Sequence, residues 1–145
     1  MARAKRDVIA EKIRKYFVEV DAGRFPADLF SENFEFYFPK FGVGRGRDEF
    51  IELATSTGVA KMMHRLDDLR LIVEGNYAVV EGTSAGTLND GQTWSGGETP
   101  GGRFCSIFTF DDQLRIERMF IYLDPDYGGK DTPRFVSRKA GSLRW

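Results

Sequence analysis

Apolar residues near the start of the chain recur with a helical period. Ile9, Ile13, Tyr16, Phe17 and Val20 follow the i, i+4, i+7, i+8, i+11 spacing of a single stripe. Glu11, Lys12, Lys15 and Glu19 take the opposite face, and Gly23 stands where a helix ends, so a helix is predicted over 7–21. A short second helix is expected after Phe25-Pro26, running through Leu29 and Phe30, because proline suits a first helical position. Phe34–Phe38 alternates and is aromatic, which predicts a strand stopped by Pro39. The glycine stretch 42–46 reads as a turn opening a third helix around 47–57. It fits neither the dinucleotide fingerprint nor the P-loop, which needs Gly-Lys-Ser/Thr.

From residue 62 the period changes from 3.6 to two. His64–Glu74, Asn76–Leu88, Gly102–Phe110 and Leu114–Asp124 are rich in β-branched and aromatic residues, and short turn sequences separate them. Leu66 sits on one parity and Leu69, Leu71 and Val73 on the other, which predicts a bulge near Asp67-Asp68. Met119–Leu123 is apolar on both parities, so that strand is expected to be covered on both faces. Thr93–Gly101, with Trp94 among glycines and a proline, reads as a flexible loop or lid. Helices followed by a run of mainly antiparallel strands imply an α+β fold, with helices on one face of a curved sheet.

Composition narrows the function classes. The 145 residues suffice for one domain. Lys and Arg total 21 against 22 Asp and Glu, a net charge of −1, which excludes a strongly basic nucleic-acid binder. No apolar run approaches the length of a membrane span, and the basic N-terminus leads into no signal-peptide core. One cysteine, Cys105, excludes an intrachain disulfide framework and is expected in the core. With one histidine there is little to hold a metal, so neither metal nor cofactor is expected, and a reducing cytoplasm fits best. The charge is uneven. Residues 1–15 carry six basic and two acidic groups and residues 130–145 five and one, leaving ten basic against nineteen acidic in between. Such basic ends read first as solvated termini.

The order Tyr16-Phe17 through Asp21-Ala22-Gly23, Phe25–Phe30, Phe34-Glu35-Phe36 and Gly44–Asp48 continues into His64, Glu74–Val79, Gly102-Arg103-Phe104 and Tyr122-Leu123-Asp124. Over roughly residues 7–127 the chain resembles the SnoaL-like, nuclear-transport-factor-2-like superfamily. The resemblance implies one SnoaL-like domain over 1–145, with a core of about 7–127 and a basic tail over 128–145. It implies a cone-shaped α+β barrel, a curved mixed sheet wrapped around N-terminal helices. The superfamily includes dehydratases, isomerases, cyclases, epoxide hydrolases and non-catalytic binders, so the fold does not name the activity.

Asp21 lies four residues after Phe17, at the end of the apolar stripe and near a helix C-terminus, both unfavourable places for a charged carboxylate. That marks it as a candidate general base. His64, the only imidazole, opens the strand region. In dehydratases of this superfamily an acid on the first helix and a histidine at this strand form an acid–base pair, and Asp21 and His64 match those positions. The limonene-epoxide-hydrolase-like members use an Asp–Arg–Asp triad, but Ile121 stands where one acid belongs, which argues against epoxide hydrolysis. Tyr16 and Tyr37 could donate to a substrate carbonyl, Arg103 could hold a carboxylate, and Tyr122 and Asp124 on the last strand complete the candidate substrate contacts.

These readings lead to a cofactor-independent lyase or isomerase, dehydratase- or cyclase-like, acting on a small hydrophobic, cyclic molecule by acid–base catalysis. The alternative is a non-catalytic ligand-binding or dimerisation module with the same pocket. A homodimer through the outer sheet face is expected, because Phe-rich strands should not stay exposed. No nucleic-acid or membrane partner is expected.

Overall fold

The amphipathic helix and the period-two strands pack as one layer on another. The computed structural model describes residues 2–135 and 144–145. Helix α1 (Ala2–Asp21) is followed by a 3-10 turn (Ala27–Leu29), β1 (Phe30–Phe38), β2 (Gly42–Arg45) and α2 (Gly46–Ser56). Then come β3 (Val59–His64), a second 3-10 turn (Leu66–Asp68), β4 (Arg70–Glu74), β5 (Tyr77–Leu88), β6 (Thr93–Ser95), β7 (Arg103–Phe110), β8 (Ile116–Leu123) and the short α3 (Thr132–Phe135). Much of the basic tail expected over 128–145 lies outside the described residues. No helix among the described residues is long and apolar enough to cross a membrane.

The strand order is β2-β1-β8-β7-β5-β3, with β4 and β6 also on β5. Only β1 and β8 run parallel. The sheet is mixed, mainly antiparallel and not closed into a ring. β5 is its spine: Tyr77–Glu81 pair with β4, while Ser84–Leu88 pair with β3. The parity change read near Asp67-Asp68 is therefore a break between two strands rather than a bulge in one. Its physical cause is the 3-10 turn at Leu66–Asp68, which ends β3 and restarts the chain as β4.

Residues Ile9, Ile13, Tyr16 and Phe17 of α1 lie on the sheet's inner face against Phe34, Phe36, Phe104, Phe108, Phe110, Ile116 and Met119. Fully burying a side chain of this size is worth roughly 1.5–3 kcal/mol. The phenylalanines thus both hold the helix and fill the cone, since Phe36 and Phe108 are 0% exposed. The glycine stretch is strand β2, not a turn. A Cβ on Gly44 would overlap the Phe36 ring, so glycine lets β2 close over β1.

Two other expectations change. The Thr93–Gly101 segment is built in rather than a flexible lid. Trp94 is 2% exposed, β6 pairs with β5, the Thr99 hydroxyl bridges Ser95 and Gly101, and Arg65 donates to the Gly96 carbonyl at 2.7 Å. Strand β8 is covered on one face only: Met119 is buried, while Tyr122 is 45% exposed on the other side.

Candidate functional site

Asp21 is the last residue of α1 and His64 the last of β3, so two chain ends deliver the pair. Spacing by four from Ile13 and Phe17 turns Asp21 toward the sheet. The His64 backbone N–H donates to Asp21 Oδ2 at 2.8 Å, and His64 Nδ1 lies 2.6 Å from Asp21 Oδ1. Where Asp21 is ionised and the ring neutral, the carboxylate can only accept, so the ring proton sits on Nδ1 and the Nε2 lone pair is the free one. The Phe17 ring lies 4.7 Å from the imidazole and Phe104 5.0 Å, the latter edge to face. Side-chain exposure is 12% for His64 and 16% for Asp21, so the two donors offset much of the cost of taking the carboxylate out of water.

The Tyr16 ring is buried against Phe17, Phe30 and Phe108. Burial first, and the charge of Asp21 second, push its hydroxyl well above the ordinary tyrosine range, so it stays a neutral donor. The other expected substrate contacts lie elsewhere. Tyr37 and Tyr122 meet as a tilted pair, ring centres 5.5 Å apart, on the outer face of the sheet, across from the pair, because they have the opposite parity to the buried Phe36 and Met119. Arg103 is exposed and donates to the backbone carbonyl of Trp145 at 2.7 Å. Asp124 accepts the Asp126 N–H at 2.9 Å and so caps the turn after β8. Cys105 is half-buried on the outer face rather than in the core, and burial followed by the Glu81 charge raises its thiol pKa.

Several residues of this region went unread in the sequence. Arg65, next to His64, ties β3 to the Ser95–Gly96 segment through the Gly96 carbonyl. Ser84 sits directly opposite His64 across the β3–β5 pairing, and the Trp94 indole N–H donates to its hydroxyl at 3.2 Å. Both facts depend on pairing between distant strands, which local periodicity does not carry. Among the described residues no group of three His, Cys, Asp or Glu side chains is placed to hold a metal.

Two pockets lie away from the Asp21–His64 pair. One, of about 210 Å³, is lined by Phe38, Pro39, Phe41, Leu53 and Tyr127 among others. The other is an open groove between the start of α1 and the β4–β5 hairpin, with Arg3, Lys5 and Arg6 along it. Asp21 and His64 each keep a partly exposed edge.

A profile of the SnoaL-like domain matches residues 13–119, a span that contains both Asp21 and His64. The chain belongs to the SnoaL-like family. No curated protein matches it. Among solved structures it is similar to a candidate polyketide cyclase from Xanthomonas campestris pv. campestris. That pair has 18% identity and a TM-score of 0.68, covering 83% of this chain and 93% of that one. It is also similar to an NTF2-like protein of unknown function from Burkholderia pseudomallei K96243, at 17% identity and TM-score 0.65, covering 92% and 98%. TerC, co-crystallised with polyporic acid, aligns at 21% identity and TM-score 0.65, covering 80% and 91%. Likeness at these identities establishes the fold: a SnoaL-like α+β domain with a curved, open sheet.

Proposed function

We propose that this SnoaL-like protein is a cofactor-independent lyase or isomerase acting on a small, hydrophobic, cyclic carbonyl compound by proton transfer. The observation that carries the reading is the 2.6 Å contact between Asp21 Oδ1 and His64 Nδ1. On this reading Asp21 orients the ring and compensates the imidazolium, and His64 Nε2 takes a proton alpha to the carbonyl. The imidazolium then returns the proton to a leaving hydroxyl, in a dehydration, or to a neighbouring carbon, in an isomerisation. Tyr16, kept neutral by burial and by the Asp21 charge, is the donor proposed for a developing enolate oxygen. Among the similar proteins are a candidate polyketide cyclase and one crystallised with polyporic acid, which supports the cyclic substrate class.

The test is the elementary step itself, followed as exchange of α-protons of 2-tetralone in deuterated buffer by NMR. Wild-type protein should exchange them faster than buffer, and His64→Gln should fall by about 10²–10⁴-fold. Equal rates for the two proteins would contradict the proposal. One observation favours a second reading, a non-catalytic binding module: Asp21 also accepts the His64 backbone N–H, so the pair staples α1 to β3. On that reading His64→Gln lowers the melting temperature and leaves no exchange activity to lose.

The proposed assembly is a homodimer, and the proposed compartment is the reducing cytoplasm. Directly paired positions carry Ile72, Val79, Ile107, Phe120, Tyr37 and Val43 in one apolar row across six strands of the outer face. Ile72 is 67% exposed and Val43 57%. The row beside it holds Glu74, Arg118, Glu35 and Arg45, charges of both signs that a two-fold related copy can meet.

A further inference from the structure

Strand β4 is an edge: among the described residues its partner in the sheet is β5 alone. Register fixes where its backbone groups point. Glu74 and Tyr77 flank the two-residue turn Gly75-Asn76, and the Asn76 carbonyl accepts from Phe110 on β7. Tyr77, Val79 and Glu81 therefore present their N–H and C=O groups to Glu74, Ile72 and Arg70, since residues alternate sides along a strand pair. Leu71 and Val73 turn theirs away from β5. Both residues line the open groove beside the start of α1, and among the described residues these two N–H and two C=O groups meet no hydrogen-bond partner.

A free strand edge is a template for another strand, and natural edges carry charges that deter the wrong one. Here the charges are Arg70 and Glu74, both exposed, on the outer face either side of Ile72. Neither forms an ion pair among the described residues. The segment Arg70-Leu71-Ile72-Val73-Glu74 is apolar between opposite charges, so turning it end for end exchanges plus and minus. Its surroundings share that polarity. Arg3, Lys5 and Arg6 stand at the Glu74 end, where Lys5 donates to the Asn76 side chain, and the exposed Asp67 and Asp68 precede β4 at the Arg70 end. A second copy laid antiparallel is therefore a complement to this edge.

We propose that the β4 edge is an interaction surface for a second copy of this chain, β4 pairing with β4 about a two-fold axis at Ile72. In that register Leu71 of each copy exchanges both backbone bonds with Val73 of the other, which satisfies all the free groups. Ile72 meets Ile72, and Arg70 meets Glu74 twice, at non-hydrogen-bonded positions where side chains approach most closely. Sliding the pairing by two residues sets Ile72 against Arg70 or Glu74 and loses both ion pairs, so the charges select one register. The contact uses the edge of the strand rather than the outer face, and it does not depend on chemistry at Asp21 and His64. Five residues per copy make a small interface, so the dissociation constant is on the order of 0.1–1 mM.

The test uses the full chain carrying Phe120→Asp, which suppresses contact through the outer face, in sedimentation equilibrium at concentrations around that constant. Monomers should pair as the concentration rises. Arg70→Glu or Glu74→Arg, added singly, should weaken pairing about tenfold, because both charge pairs turn repulsive. An equimolar mixture of the two single variants should associate again, since their edges then carry opposite charges, and the double variant Arg70→Glu/Glu74→Arg should pair like its parent. In amide exchange followed by NMR, Leu71 and Val73 should gain protection with concentration, while Ile72, bonded to β5, is protected throughout. A chain that stays monomeric overturns the proposal. So does equal pairing in the single variants, or a mixture that associates no better than either variant alone.

Discussion

The two faces of one sheet differ in what occupies them. The inner face carries Phe34, Phe36, Phe104, Phe108 and Met119 beneath α1, and its polar residues are engaged: Asp21 with His64, Ser84 with Trp94. The outer face carries an equally continuous apolar row, Ile72 to Val43, but no element of the chain lies over it among the described residues. Alternation along each strand generates both from the same sequence, with Phe108 pointing in and Ile107 out. The inner pattern is complete within one chain and holds the Asp21–His64 contact. The outer pattern is incomplete within one chain, and in the proposed homodimer a second copy would cover it.

The contrast is broken most strongly from inside. Phe108→Ala removes a ring with no solvent exposure and should cost about 3–5 kcal/mol in denaturant unfolding, whereas Ile107→Ala, one residue along, should cost about 1 kcal/mol in the monomer. The outer face should respond in assembly instead. Phe120→Asp, in the middle of the row and under the Arg118 guanidinium 3.6 Å from its ring, should weaken dimerisation by about 2–5 kcal/mol while the monomer stays folded. Light scattering that shows a monomer for the wild type at micromolar concentration would leave the outer row unexplained.

A smaller effect belongs to the β7–β8 turn, where both faces end. Asp111 accepts the backbone N–H groups of Gln113 and Arg115 and the Arg115 side chain, while Leu114 takes a left-handed φ of 57°. Burial acts to raise this carboxyl, and the hydrogen bonds from Arg115 and Gln113 outweigh it, so its pKa lies below the ordinary aspartate range. A carboxylate depressed in the folded state contributes stability that is present above its unfolded pKa of about 3.9 and is lost as the pH falls through the folded value. Asp111→Ala should therefore cost about 1–2 kcal/mol at neutral pH and flatten the acid limb of the stability profile. The smallest effect is chemical. Cys105 should react with a maleimide more slowly than free cysteine at pH 7, because its thiol pKa is raised.

The sequence carried the inner face better than the outer one. The stripe Ile9, Ile13, Phe17 and the step to Asp21 are local spacings, and with a single imidazole in the chain His64 was the natural partner to expect. The alternation that buries Phe34, Phe36 and Phe38 also places Tyr37 outside, so aromatic identity misled where parity was informative. β2 escaped notice because its glycines signal a turn locally, and only contact with Phe36 makes it a strand. The N-terminal extension of α1 to Ala2 lies in charged residues with no apolar period, and Trp94, Ser84 and Arg65 act through register between distant strands.

The proposed chemistry requires Asp21 to fix the tautomer of His64, and imidazole ¹⁵N NMR reads that directly. With the ring neutral, the wild type should show the proton on Nδ1 and a lone pair on Nε2, and Asp21→Asn should change the shifts of both nitrogens. A wild-type ring protonated on Nε2, or one whose nitrogens do not respond to Asp21→Asn, would contradict it.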